Sequence, residues 1–428
     1  MAKRALLVGC NYPGTKCELH GCANDVRRMR TTLVERFGFD ESDILVMLDT
    51  DPSTPQPTGA NIRSSLNKLI NSVQPGDALV FHYSGHGTQV PPEKGAPGET
   101  DTEEAIVPTD MNLLTDDDFR GLVNQIPDGV TFTFLSDSCH SGGLIDSEKE
   151  QIGGGTGAGG AGAPVTFPAG GGDGADAGGG LIGLISQGLQ AFAGQSGGQT
   201  QTRDFIFPSG GRKQEEEVSG YSQSQGGYAP PPPPHMVSKN IPIDLLTQIL
   251  SERTGHNVQV GNIRTTIFDM FGEQASPSVK MFVNLALSQL QQGGDQGGWL
   301  GTVSSLASQF LQTKLDSQSS EDAANYTAPA EQAGLPGPKN RVDSDVSVLI
   351  SGCQSDQTSA DASPTHNPAN SYGAFSNAVQ TVLSRNPSPM TNRELVLAVQ
   401  DVLQQEGFKQ RPCLYCSDGK VDSAFICV

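Results

Sequence analysis

Two hydrophobic rhythms alternate along residues 1–151. Short unbroken apolar runs at Lys3–Cys10, Asp43–Leu48, "ALVFHYS" (Ala78–Ser84) and "VTFTFLSDS" (Val130–Ser138) have the length and β-branched or aromatic content of buried strands. Between them the period lengthens. Asn24–Phe37 carries Val26, Met29, Leu33 and Val34 at helical spacing, with Asn24 as the prospective N-cap. Thr58–Val73 sets Ile62, Leu66, Leu69 and Ile70 on one face behind a Thr58 cap, and Asp116–Ile126 opens with acids that suit a helix N-terminus. This order predicts an α/β fold with a mostly parallel central sheet flanked by helices.

The pattern breaks near Ile152. "GGGTGAGGAGAPVTFPAGGGDGADAGGG" holds too little apolar surface to offset its backbone entropy, and the prolines Pro230–Pro234 favour an extended chain. Residues 152–240 therefore read as a long, partly disordered linker, with one short amphipathic helix at Leu181–Ala193. Residues 241–341 read as a helical region and polar spacer, with helices at "PIDLLTQILSERTG", Ser278–Gln291 and Trp299–Leu315. The α/β rhythm returns over 342–428: a strand "SDVSVLISGC", a helix "YGAFSNAVQTVLS", a second helix capped by Thr391 with Glu394 at the capping-box position, and a closing strand "SAFICV". One α/β domain is thus split by a long insertion.

Composition narrows the function classes. With 27 basic and 47 acidic residues in 428, the formal charge is −20, which disfavours nucleic acid and anionic membranes as partners and suits a basic partner, bound cations or plain solubility. No apolar run approaches the ~20 residues of a membrane helix, and the N-terminal run is too short for a secretory leader. A cytoplasmic monomer is expected, with its eight cysteines as thiols. Cys413 and Cys416 form a C-x-x-C, but no second pair stands at zinc-site spacing.

Two polar bursts close two of the strands. "HYSGHG" (His82–Gly87) places His86 just past one strand, and "DSCHSGG" (Asp137–Gly143) places Cys139 just past another. Open α/β sheets carry their sites at this edge. If the strands are neighbours, a base meets a thiol, the arrangement for acyl transfer through a thioester. The amides of Gly87 and Cys139 are then candidate oxyanion donors. Other readings stay open. An inert buried thiol is one alternative for Cys139, although a polar turn between Ser138 and His140 is a poor place for a core; His82 and His86 have metal-like HxxxH spacing, and Cys22 with nearby His20 is a rival nucleophile.

These motifs resemble those of the metacaspases, in the caspase-like cysteine peptidase clan. "VGCNYPGTKCELHGCANDV", "EEAIVPTDMNLLTDDDF" and "LISGCQSDQTSADA" resemble further family segments, in the family's order. The long linker and the lack of a Pro-rich N-terminal extension look like the type II, plant-like branch. The resemblance implies a caspase-like fold with His86 as general base and Cys139 as nucleophile. It implies cleavage of proteins and peptides after Arg or Lys, through an acidic pocket at Cys22, Asp25, Ser84 and Asp137. Asp25 has a simpler alternative role as a cap of the following helix. The resemblance also implies Ca²⁺ as activator, at Asp101, Asp116, Asp117 and Asp146, with Asp118 competing for a place. It implies a zymogen that cuts its own linker, where Arg212 and Lys213 are the exposed candidates and Arg203 a second, and a part in programmed cell death or wounding. The alternatives are a catalytically weak scaffold of the same fold, or another Cys–His acyl hydrolase.

Overall fold

The structure, a computed structural model, describes residues 1–91, 102–141, 144, 150–153, 235–291, 346–354, 357–364 and 367–426. In chain order the elements begin β1 (Lys3–Gly9), α1 (Cys22–Phe37), β2 (Ile44–Leu48), α2 (Gly59–Ile70), β3 (Ala78–Ser84), β4 (Gly87–Val90), β5 (Glu103–Ile106) and β6 (Leu114–Thr115). They continue with α3 (Asp116–Val123), β7 (Thr131–Asp137), β8 (Glu150–Ile152), β9 (His235–Ser238), α4 (Ile243–Thr254), α5 (Ile263–Phe271) and α6 (Pro277–Gln291). The last are β10 (Ser347–Ser351), β11 (Ala360–Ser363), β12 (Tyr372–Gly373), α7 (Ala374–Arg385), α8 (Asn392–Gln405) and β13 (Cys413–Cys416).

Seven strands form the central sheet in the order β2-β1-β3-β7-β10-β13-β8. Pairing is parallel from β2 to β10 and antiparallel at β13 and β8. Side chains alternate between two apolar layers, as the strand period requires. Leu6, Val8, Leu79, Phe81, Tyr83, Phe132 and Phe134 enter one layer with α2 and α3, whereas Ala5, Leu7, Val80 and Leu135 enter the other with α1, α7 and α8. Both faces are covered, which is why the strands read as unbroken apolar runs. Because β10 pairs with β7, from Ser347 opposite Phe132 to Ser351 opposite Ser136, the two ends of the chain share one sheet. Residues 1–155 and 231–428 fold as one unit.

Several expectations shift. The expected linker 152–240 ends earlier, because its last residues form β9, which pairs antiparallel with β11. Cys413 and Cys416, the lone C-x-x-C, are the buried ends of β13. "SAFICV" is no strand over its described part, where Ala424 makes one isolated bridge to Thr391. Asn24 does not cap α1. The helix begins behind Gly21, and the Asn24 amide reaches carbonyls of Pro368 and Ser371. Thr58 caps α2, and Thr391 with Glu394 forms the capping box of α8. The helices expected at Leu181–Ala193 and Trp299–Leu315 lie outside the described residues.

Asp118 joins two parts of the chain. Its buried carboxylate accepts from the Thr115 amide (3.0 Å), completing the α3 capping box, and from the Ser278 amide (2.9 Å) and hydroxyl (3.0 Å) at the start of α6. Asp118→Ala strands these donors, so urea unfolding should show a loss of about 2–3 kcal/mol. An unchanged midpoint would contradict this role.

Candidate active site

β3 and β7 are neighbours, with Ser84 opposite Asp137. The chain leaves both strands at the same sheet edge, so His86 and Cys139 each stand two residues beyond it. The backbone of His86 is held on both sides. Its N–H donates to Tyr12 Oη at 3.0 Å, and its carbonyl accepts from Tyr83 Oη at 2.9 Å and the Val107 amide at 3.0 Å. The Tyr12 ring lies 4.8 Å from the imidazole. His86 Nε2 stands 2.8 Å from the Cys17 carbonyl, which can only accept, so Nε2 carries the proton. Nδ1 is then the basic nitrogen, buried and without a hydrogen-bond partner. Burial pushes the His86 pKa down to about 4, against the pull of the Cys17 carbonyl, so the ring is neutral around pH 7. The Cys139 sulfur accepts from the Ser359 amide at 3.0 Å. Burial pushes this thiol well up, and a hydrogen bond with Cys353 adds to the rise, so it rests protonated until a base takes the proton.

Behind the dyad lies a buried acidic pocket. Asp25 sits within α1 and does not cap it; both its oxygens accept from the Gly373 amide, at 3.0 and 2.9 Å. Ser84 Oγ donates to Asp25 at 2.8 Å, and the Ser376 amide donates to Asp137 at 2.8 Å. Gly373 and Ser376 open α7, so a helix N-terminus holds both carboxylates. Cys22 is fully buried, its thiol raised by burial and set beside Ser84 and Lys239. His20 sits with Glu18 on the surface, so Cys22 has no base of its own.

The pocket contains a residue that the sequence did not single out. Lys239 Nζ lies 3.0 Å from Asp137 Oδ1, 3.7 Å from Asp25 Oδ2, 2.9 Å from Ser84 Oγ and 3.2 Å from the Asp137 carbonyl, and its side chain is 0% exposed. Burial alone would lower its pKa; the charge of Asp137 first, with that of Asp25, outweighs burial and holds it above the ordinary lysine range. The backbone around it is seated too. Lys239 N–H donates to Ser359 O at 2.9 Å, Gly87 N–H donates to Lys239 O at 2.9 Å, and Ile241 N–H donates to Gly87 O at 3.0 Å. Of the two expected oxyanion donors, Gly87 is the one hydrogen-bonded to this carbonyl. A Cβ at Gly87 would stand 1.8 Å from Cys139 O, so glycine is needed for the fit. Asp361 on β11 was also missed. It accepts from the His20 and Gly21 amides at 2.9 Å each, fixing the start of α1 and hence Cys22 and Asp25.

The other expected residues are placed as follows. His82 does not share a site with His86; its Nε2 meets Ser376 Oγ at 3.1 Å within the sheet's helical layer. Asp116 is pushed up to about 8 by burial, with the charges of Glu103 and Asp117 adding, and Asp117 pairs with Arg120. Asp118 is committed to the α3–α6 joint. Asp101, Asp146, Arg203, Arg212 and Lys213 lie outside the described residues. Among the described residues no group of three or more ligating side chains is assembled, and no helix is long and apolar enough to cross a membrane.

A neutral imidazole and a buried thiol, each two residues past adjacent parallel strand ends, form an arrangement that a cysteine peptidase on a caspase-like α/β sheet would use. Comparison with known proteins narrows the class. Residues 3–148 match the metacaspase, peptidase C14 domain. The chain is 43% identical to Metacaspase-4 of Arabidopsis thaliana over 440 residues and 41% identical to Metacaspase-6 of Arabidopsis thaliana over 433, with 100% of both chains covered in each case. Metacaspase-1A of Aspergillus terreus is 42% identical over 151 residues, covering 34% of this chain and 37% of its own. The chain belongs to the metacaspase family, in its plant-like type II branch, and is thereby a caspase-like cysteine peptidase.

Removing Lys239 leaves two buried carboxylates without their cation, a change that typically costs about 3–5 kcal/mol. Lys239→Ala should therefore loosen the β9 segment, and Cys139 should react with iodoacetamide at least about tenfold faster than in the parent. Equal labelling rates would mean that Lys239 does not hold the segment over Cys139.

Proposed function

We propose that this peptidase cuts after Lys or Arg, is made with its own chain in the cleft, and first cuts itself after Lys239, with Ca²⁺ as activator. The observation that carries this reading is the Lys239 ammonium between Asp137 and Asp25, with its carbonyl on Gly87 N–H. A substrate Lys would place its ammonium in the same position, and a planar guanidinium would bridge the two carboxylates by charge-assisted hydrogen bonds. His86 Nδ1 takes the proton of Cys139, and the thiolate attacks the carbonyl carbon. Gly87 N–H, with the Cys139 amide as the expected second donor, stabilises the oxyanion. The imidazolium then protonates the departing amine, and water, with His86 again as base, releases the acyl group.

Lys239, rather than Arg212 or Lys213, is the proposed first cut, because it is already seated as a substrate. The donors suit a hard cation: Asp116 is a carboxyl raised first by burial and then by Glu103 and Asp117, and a cation would favour its ionised form. Asp116 and Asp117, with Asp101 and Asp146, would hold Ca²⁺, which supplies neutralisation of these carboxylates when bound. Protein and peptide substrates with a basic residue before the cut follow from the pocket's charge.

Added to the purified full chain, Ca²⁺ should yield a fragment whose first residue is Asn240, and Cys139→Ala should yield none. An earliest fragment beginning elsewhere, or cleavage in Cys139→Ala, contradicts the assignment. On peptide substrates Asp137→Asn should reduce kcat/KM after Lys and Arg at least about thirtyfold, since breaking a desolvated charge pair typically costs ~2–5 kcal/mol. An unchanged profile, or cleavage after Asp, would remove the pocket from the account.

A further inference from the structure

The peptidase mechanism leaves one buried thiol beside the nucleophile unused. Cys353 follows β10 by two residues, as Cys139 follows β7, and these strands are parallel neighbours with Ser351 opposite Ser136. The pairing runs on past the strand ends, because Gly352 N–H donates to Ser136 O at 2.8 Å. The Cys353 sulfur lies 3.7 Å from Ser138 O and 3.5 Å from Gln357 O. Ser359 links the two thiols: its hydroxyl donates to Ser138 O at 3.2 Å, and its amide donates to the Cys139 sulfur at 3.0 Å. The two thiols shift each other's titration, raising that of Cys139 and lowering that of Cys353. Both residues are fully buried and neither is in a disulfide. Neighbouring strands lie about 4.8 Å apart, and in this register Cys353 falls opposite Ser138, the residue before Cys139.

We propose that Cys353 is the resolving cysteine of a reversible oxidation of this site, in which hydrogen peroxide converts Cys139 and Cys353 into a disulfide. The Cys139 thiolate, its proton on His86, attacks one peroxide oxygen. An S–O bond forms, the O–O bond breaks, and the departing hydroxide takes the proton from His86 as water. Cys353 then attacks the Cys139 sulfur. An S–S bond forms, the S–O bond breaks, and hydroxide leaves with the Cys353 proton as the second water. Two thiols lose two electrons and one peroxide becomes two waters. Held beside the Cys139 turn, Cys353 is the thiol placed to attack Cys139 once it is oxidised. The disulfide removes the nucleophile, is returned by a dithiol, and keeps Cys139 from the irreversible sulfinic acid. None of this rests on the substrate preference or on self-cleavage. The seated Lys239 segment covers Cys139, so the opened protein is the form that oxidises.

The test treats full-length Lys239→Ala protein with hydrogen peroxide, blocks free thiols, digests with an unrelated protease and weighs the peptides. A peptide pair joined through Cys139 and Cys353, two hydrogens lighter than the free pair and separated by dithiothreitol, is expected. With Cys353→Ser added, Cys139 should gain two oxygens, and the share of free Cys139 recovered by dithiothreitol should fall at least about fivefold. Equal recovery in the two proteins, Cys139 joined to another thiol, or Cys139 left as a free thiol in Lys239→Ala overturns the proposal. If Cys353→Ser does not fold, the joined peptide in the Lys239→Ala protein decides alone.

Discussion

A lysine ammonium buried between carboxylates is the constraint around which the site is arranged. Isolated, such a charge is among the costliest groups a protein can bury, and the carboxylates that face it carry the same cost. The site resolves this by stacking partners. Asp137 and Asp25 receive Lys239 on one side and the amides of Gly373 and Ser376, at the start of α7, on the other. The helix start fixes the anions in place, and the anions create a seat for one cation. Without Lys239, burial and mutual repulsion leave this seat in deficit, so the pocket favours another cationic side chain over water. The contact that seats Lys239 and the proposed preference for a basic substrate would then be one interaction in two settings.

The sheet explains why parts distant in sequence meet there. β3, β7 and β10 end at one edge and deliver His86, Cys139 and, through the loop after β10, Ser359. β11 pairs with β9 on one side, while its Asp361 holds the start of α1. Lys239 lies in a connection, outside the central sheet. The proposed cut there would leave the β7–β10 pairing intact, so both parts of the chain would remain joined.

The parts of this arrangement that rest on local pattern were legible in the sequence. Apolar runs marked β1, β3, β7 and β10, and Thr58 and Thr391 marked helix starts, because each signal lies within a few residues. The strand-end positions of His86 and Cys139 followed from the same runs. What escaped was non-local. "VSKNIP" around Lys239 follows a proline run and has no periodicity, and its strand forms only against β11, far along the chain. Gly21 begins α1 where Asn24 looked the better cap, because Asp361 accepts the amides of His20 and Gly21 from a distance. Cys413 and Cys416 drew attention as a pair, although Leu414 between them packs in the core and the segment is a strand.

The central claim is that Lys239 and Asp137 act as one buried pair. It is tested most directly by a double-mutant cycle on unfolding free energy in a Cys139→Ala background, using Lys239→Met, Asp137→Asn and the two together. The account predicts that the double variant is less destabilised than the sum of the single ones, with a coupling of at least about 1.5 kcal/mol, as close charge pairs show. Strictly additive losses would contradict it.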